Sequence, residues 1–148
     1  MRKLELLAPA KNLACGIAAI DHGADAVYIG ASRFGARAAV GNSVDDIRQL
    51  CDYAHLFGAK VYVTVNTIIY DGELDDTLSL IRELHGVGVD AILVQDMGLI
   101  KLQLPPIALH ASTQTDNRTA DKVKWLVELG FQRVVLAREL SVEEIRSI

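Results

Sequence analysis

The sequence predicts an α/β fold, a parallel (βα) TIM-barrel type sheet that is incomplete, with about six βα units. Three observations carry this. A glycine-led phrase recurs: Gly23-Ala24-Asp25 precedes Ala26-Val27-Tyr28-Ile29-Gly30, and Gly58-Ala59-Lys60 precedes Val61-Tyr62-Val63-Thr64-Val65. Gly88-Val89-Asp90 likewise precedes Ala91-Ile92-Leu93-Val94, and Gly130-Phe131-Gln132 precedes Arg133-Val134-Val135-Leu136. The runs after the phrase are continuously apolar, the pattern of strands covered on both faces and hence of a parallel sheet with helices outside. The segments before it carry helical period and end on the glycine that a helix C-terminus needs at positive φ.

The elements follow in order. Leu4-Glu5-Leu6-Leu7-Ala8 reads as the first strand, and Ile17, Ile20 and Ala24 form the stripe of the first helix. Ser43 opens the second helix as N-cap with Asp46 at its third position, and Ile47, Leu50, Ala54 and Phe57 share its inner face. Leu74, Leu78, Ile81 and Leu84 line the third. The stretch from Met97 to Leu102 has room for only a short helix before Pro105-Pro106 and the strand Ile107-Ala108-Leu109-His110-Ala111. Val123, Leu126 and Val127 mark the next helix, and Arg133 to Arg138 the sixth strand. Ser141-Val142-Glu143-Glu144 is a capping box that opens a further helix.

Strict βα alternation admits an open doubly wound sheet or a closed barrel. No strand opens into a glycine-rich phosphate loop, which favours the barrel. A complete eight-unit barrel takes about 250 residues. Residues 1–148 are therefore expected to be the N-terminal portion of a (βα)8 barrel domain, truncated at the start of its sixth helix. Strands 1 and 6 would then be unpaired edges, which invite pairing with another chain. A homo-oligomer joined through exposed sheet edges is expected.

Hydrophobic residues make up 51% of the chain, enough for a sizeable core, while a net charge of −4 gives no support to wholesale nucleic-acid binding by a basic surface. No run approaches the roughly 20 apolar residues that span a bilayer. The N-terminus lacks the apolar core of a signal peptide, so a cytoplasmic address is expected. Cys15 and Cys51 read as small buried helix residues rather than a metal or redox pair. His22, His55 and His85 fall near helix C-termini, where the dipole favours them. No HExxH, Gly-x-Ser-x-Gly or Walker pattern occurs.

In barrels of this type chemistry sits at the C-terminal ends of the strands. That rule yields the substrate-binding candidates. Asn66 follows strand 3, Asp96 follows strand 4, and Arg138 and Glu139 close strand 6. Strand 5 delivers the densest group, in which alternation would place His110, Ser112 and Gln114 on one face. Arg37, with Arg33, lies in a glycine-containing loop after strand 2 that suits anionic groups. Each group has a structural alternative: strand-end turns for His110, Ser112 and Gln114, an ion pair for Arg138 and Glu139, a helix cap for Asp96. No nucleophile–base pair or metal set stands out, and the catalytic residues stay unassigned.

At these same strand ends the chain resembles the collagenase-like peptidases, family thirty-two of unknown catalytic type. The matching phrases are Glu5-Leu6-Leu7-Ala8-Pro9-Ala10, Gly23 to Gly30, Lys60 to Thr67, Val89 to Asp96, His110-Ala111-Ser112-Thr113-Gln114 and Arg133 to Ser141. Lys11 stands where such proteins often carry glycine. The resemblance implies the N-terminal barrel part of a bacterial peptidase or hydrolase acting on peptides. Its rival implication is oxygen insertion, the hydroxylation of a tRNA or rRNA base or of a quinone precursor. In those branches cysteines beyond the sixth strand hold an iron–sulfur cluster. Neither Cys15 nor Cys51 matches them, so no cofactor is expected within these residues. A third reading is an inactive structural fragment.

Overall fold

The computed structural model describes residues 4–32 and 41–148. Among them, β1 (Leu7–Ala10), α1 (Leu13–Asp21), β2 (Ala26–Gly30), α2 (Val44–Leu56), β3 (Lys60–Val65), α3 (Leu74–Gly86) and β4 (Ala91–Val94) run in strict alternation. β5 (Ala108–Ala111), α4 (Ala120–Glu128), β6 (Arg133–Val134) and α5 (Val142–Ser147) complete the order, with 3-10 turns at Asp71–Glu73, Met97–Lys101 and Thr113–Thr115. The strands form one sheet in chain order, β1 to β6, and every pair is parallel.

The sheet is curled. Five strand spacings of about 4.8 Å would separate β1 from β6 by roughly 24 Å if it were flat. Yet the guanidinium of Arg133, on β6, is bonded to the carboxylate of Glu5 just before β1, with Nη2 to Oε2 at 3.1 Å. Only a strongly coiled sheet brings those ends within side-chain reach. The fold is an incomplete TIM-barrel type, as expected.

The glycine-led repeat has a clear physical role. Gly23, Gly58, Gly88 and Gly130 take φ of 93°, 69°, 91° and 97°, each reversing the chain after a helix. In two repeats an aspartate follows and reaches back to the preceding strand. Asp25 Oδ2 accepts from the Leu6 N–H at 2.8 Å, and Asp90 Oδ2 accepts from the Val61 N–H at 2.8 Å. The backbone of the same aspartates bonds these strands too, Asp25 N–H to Leu6 O at 2.9 Å and Asp90 N–H to Val61 O at 3.0 Å. The phrase sets register.

Alternation divides the strand residues between two faces. Val27, Ile29, Val61, Val63, Val65, Ile92, Val94 and Ala111 pack outward against Ile20, Ile47, Leu50, Ala54, Ile81, Leu84 and Leu126 of the helices. Ala26, Tyr62, Ala91 and Leu93, with Leu7, Tyr28, Ala108 and Val135, line the concave face. Helices α1 and α2 meet closely at Gly16, where a Cβ would lie 2.7 Å from Leu50 Cδ1. The capping boxes at Ser43–Asp46 and Ser141–Glu144 form as expected.

Five local expectations need correction. β1 runs Leu7–Ala10, not Leu4–Ala8, because Pro9 is tolerated at an edge where its missing N–H costs no ladder bond. The short segment after Asp96 is a 3-10 turn over Met97–Lys101 rather than α-helix, the tighter winding common in such short connections. β6 ends at Val134, for a reason given below. Phe57 is 64% exposed, capping α2 and lying against Tyr53 at the surface. Cys15 is exposed on α1; Cys51 is buried.

Candidate functional site

Polar groups gather where β3 to β6 end. Ser112 continues the β5 ladder by donating its N–H to Val94 O at 2.9 Å, and then caps the following 3-10 turn. Its hydroxyl accepts from the Gln114 N–H at 3.2 Å and from the Asn66 amide at 3.3 Å. Asn66 and Ser112, both expected at the site, are therefore brought together. Gln114 is not: the strand stops at Ala111, alternation no longer applies, and the side chain is exposed.

Asp96 is half-buried and engaged on both oxygens. Oδ2 accepts from the Ile69 N–H at 3.0 Å and Oδ1 from the Gly98 N–H at 2.8 Å. It ties the β3 loop to the β4 loop and caps the 3-10 turn. Arg138 and Glu139 are exposed beyond β6. Arg37, with Arg33, lies outside the described residues.

The residue that organises this rim is one that sequence reasoning missed. Asn117 is fully buried; its amide donates to Ser112 O at 2.9 Å and Val135 O at 2.8 Å, while its Oδ1 accepts from the Thr115 hydroxyl at 2.7 Å. Its own carbonyl accepts from the Ala137 N–H at 3.0 Å. Asn117 thus takes over the hydrogen bonds a longer β6 would have made, which is why β6 is short. Asn42 plays a similar part at the first two loops, donating to Gly30 O at 2.9 Å and Lys11 O at 3.1 Å.

Below the rim, the concave face holds a second polar cluster. The Tyr62 hydroxyl donates to Glu5 Oε2 at 3.0 Å, and Arg133 lies over the Tyr62 ring at 5.4 Å from its centroid. Tyr62 meets His110 edge-on, ring centroids 4.7 Å apart and planes at 74°. Arg133 holds the Glu5 carboxyl below its usual range, and Glu5 in turn raises Arg133. Burial, with help from Glu5, pushes the Tyr62 phenol up to about 12. Burial, and then the nearby Arg133 charge, pulls His110 down to about 4, so its ring is neutral. Glu5, Tyr62 and Arg133 were read only as strand residues. The one signal available was a lone polar or aromatic side chain at an inward position of an otherwise apolar run.

The residues present do not fit an iron–sulfur cluster. Cys51 is sealed between helix and sheet, and burial pushes its thiol up to about 12, the opposite of what a thiolate ligand needs. Cys15 sits apart on the exposed side of α1. Among the described residues no three histidine, cysteine, aspartate or glutamate side chains are grouped as a metal set.

A parallel βα sheet, coiled around a polar concave face and edged by polar loops at its strand ends, is a barrel-type scaffold of the kind that carries enzyme sites. The chain belongs to peptidase family U32, whose family model matches residues 11–148. It is 54% identical over 146 residues to the 23S rRNA 5-hydroxycytidine C2501 synthase of Escherichia coli K12, covering 99% of this chain and 22% of that protein. It is 36% identical over 151 residues to tRNA hydroxylation protein P1 of Bacillus subtilis 168, covering 99% of this chain and 36% of that protein. The chain thus spans about a fifth to a third of the length of these curated relatives. Among solved structures, the U32 peptidase Mk0906 matches with a TM-score of 0.75 over all of this chain and 66% of its own, at 14% identity, a likeness of fold. Among the described residues no helix is long and apolar enough to cross a membrane.

Proposed function

We propose that this chain is the barrel part of an enzyme that hydroxylates a base of RNA, with a cytidine of 23S ribosomal RNA as the substrate. The observation that carries the reading is the 54% identity across 99% of the chain to a 5-hydroxycytidine synthase. The polar groups at the strand ends agree with it better than with peptide hydrolysis. The Ser112 hydroxyl accepts from the Asn66 side-chain amide and the Gln114 backbone N–H, and among the described residues no base that could activate it contacts it. Both Asp96 oxygens accept backbone N–H groups, leaving that carboxylate occupied as a staple. The described residues offer instead amides, a hydroxyl and a neutral imidazole, groups that hold an uncharged base by its edge. Their part is to bind and orient.

The test is nucleoside mass spectrometry of ribosomal RNA from a strain lacking the gene, beside a peptide-cleavage assay on the purified protein. Loss of the one-oxygen increment on a cytidine, restored by the gene, is the expected result. Unchanged RNA together with peptide cleavage overturns the proposal. The edges of β1 and β6 carry a separate expectation, self-association of the chain, which light scattering checks; a monomer at high concentration removes it.

A further inference from the structure

Among the described residues, one buried side-chain polar atom has no hydrogen-bond partner, Nδ1 of His110. Buried polar groups are bonded almost without exception, so such an orphan marks a place for a partner from outside the chain. His110 is 6% exposed and lies on the concave face of β5, between Ala108 and Ser112, the first residue past the strand. Ser112 and Asn66, touching at 3.3 Å, stand one layer nearer the strand ends, about 7 Å further on.

The surroundings restrict what that partner can be. The charged groups that bear on His110 are Arg133, Glu5 and Lys60. Arg133 is committed to Glu5 and to the Tyr62 ring. Lys60 is exposed at the first residue of β3, the end away from the site. Among the described residues, neither cation that bears on the ring is free to take a phosphate. The walls are aromatic instead: Tyr28 pairs with Tyr62 across β2 and β3 on this face, and Tyr62 meets His110 edge-on. Flat rings with polar rims recognise flat rings with polar rims.

We infer that the concave face beneath the strand ends takes a single unstacked pyrimidine base, and that His110 is the residue that reads its polar edge. The inference rests on the RNA-hydroxylation reading and deepens it by naming how the base is held. A base turned out of its stack would approach past the Asn66–Ser112 contact, which is 3.3 Å long.

The experiment uses the full chain labelled with ¹⁵N-histidine, titrated with cytidine, inorganic phosphate and glycylglycine in parallel. The His110 ring nitrogens are expected to shift saturably with cytidine and to stay still with the other two. In cells lacking the gene, complementation with His110→Phe is expected to lower the hydroxycytidine fraction about tenfold or more, and His110→Gln, which keeps a donor and an acceptor, to lower it less. Circular dichroism of both variants controls for folding, and His110→Gln carries the test should His110→Phe not fold. His110 signals unmoved by millimolar cytidine, or variants that modify RNA as the parent does, overturn the inference while leaving the proposed function standing. RNA that never depends on the gene overturns the proposed function, and the titration then still decides whether the face binds a base.

Discussion

Glu5 and Arg133 are bonded through both carboxylate oxygens although 128 residues separate them in sequence. They join the chain before β1 to β6, the two edges of the sheet, across the concave face. The pair is part-exposed, with side-chain accessibilities of 26% for Glu5 and 38% for Arg133. Its worth lies between that of an exposed pair, below about 1 kcal/mol, and the 3–5 kcal/mol lost on breaking a fully buried one. Arg133→Met is expected to cost about 1–2 kcal/mol in urea unfolding, since Glu5 and the Tyr62 hydroxyl lose a partner. Adding Glu5→Gln to it is expected to recover part of that loss. Additive single-variant costs would show that the two groups act independently.

His110 sets the acid limit of the fold. Its folded-state pKa is near 4, below the ordinary 6.5, so the unfolded chain binds a proton more readily than the folded one. Stability from this group is therefore complete above pH 6.5 and falls as the pH drops towards 4. The size is on the order of 3 kcal/mol, at 1.36 kcal/mol for each unit of difference. Glu5, whose carboxyl is held below 4.5, adds a separate loss at still lower pH. Stability measured against pH in urea is expected to decline between 6.5 and 4 in the parent and to flatten there in His110→Phe. An unchanged slope would mean that the ring is protonated without penalty.

What was legible in the sequence was local. Capping at Ser43 and Ser141, the helix stripes and the glycine returns each depend on residues within one or two turns, so the alternation of elements follows from short windows. The cluster of Glu5, Tyr62, His110 and Arg133 depends on the coiling of six strands. No window contains more than one of its members, and Tyr62 and Arg133 read there as ordinary strand residues. Of the strand-5 residues expected on one face, Ser112 lies at the rim in contact with Asn66, and His110 lies one layer below it. Gln114 was misplaced because Ser112 caps a turn and ends the alternation. Asn117 escaped notice because an asparagine after a strand reads as loop, whereas here it replaces the missing ladder of β6.

Asn117 is accordingly the rim residue whose loss should cost most. Asn117→Ala would leave the Val135 carbonyl without its donor, remove one of the donors to Ser112 O, and take from the Thr115 hydroxyl one of its two acceptors. The expected penalty is about 2–4 kcal/mol, or a fall of roughly 5–15 °C in Tm. Asn117→Asp keeps the acceptor but loses both donor bonds, and should be nearly as damaging. A loss below about 0.5 kcal/mol in either variant would contradict the role assigned here.

The two cysteines should separate cleanly by reactivity. Cys15 is exposed on α1, whereas Cys51 is 1% exposed among the residues that pack α2 on the sheet. Burial, with Asp90 and Asp52 nearby, pushes the Cys51 thiol up to about 12, so almost none of it is thiolate at pH 8. Iodoacetamide on the folded protein at that pH is expected to add a single carbamidomethyl group, located at Cys15 by peptide mass spectrometry. A second addition should appear only in denaturant, as the helix–sheet packing opens. Its rate at intermediate urea then reports how often α2 leaves the sheet. Rapid double labelling without denaturant would mean that Cys51 is far less protected than its packing implies.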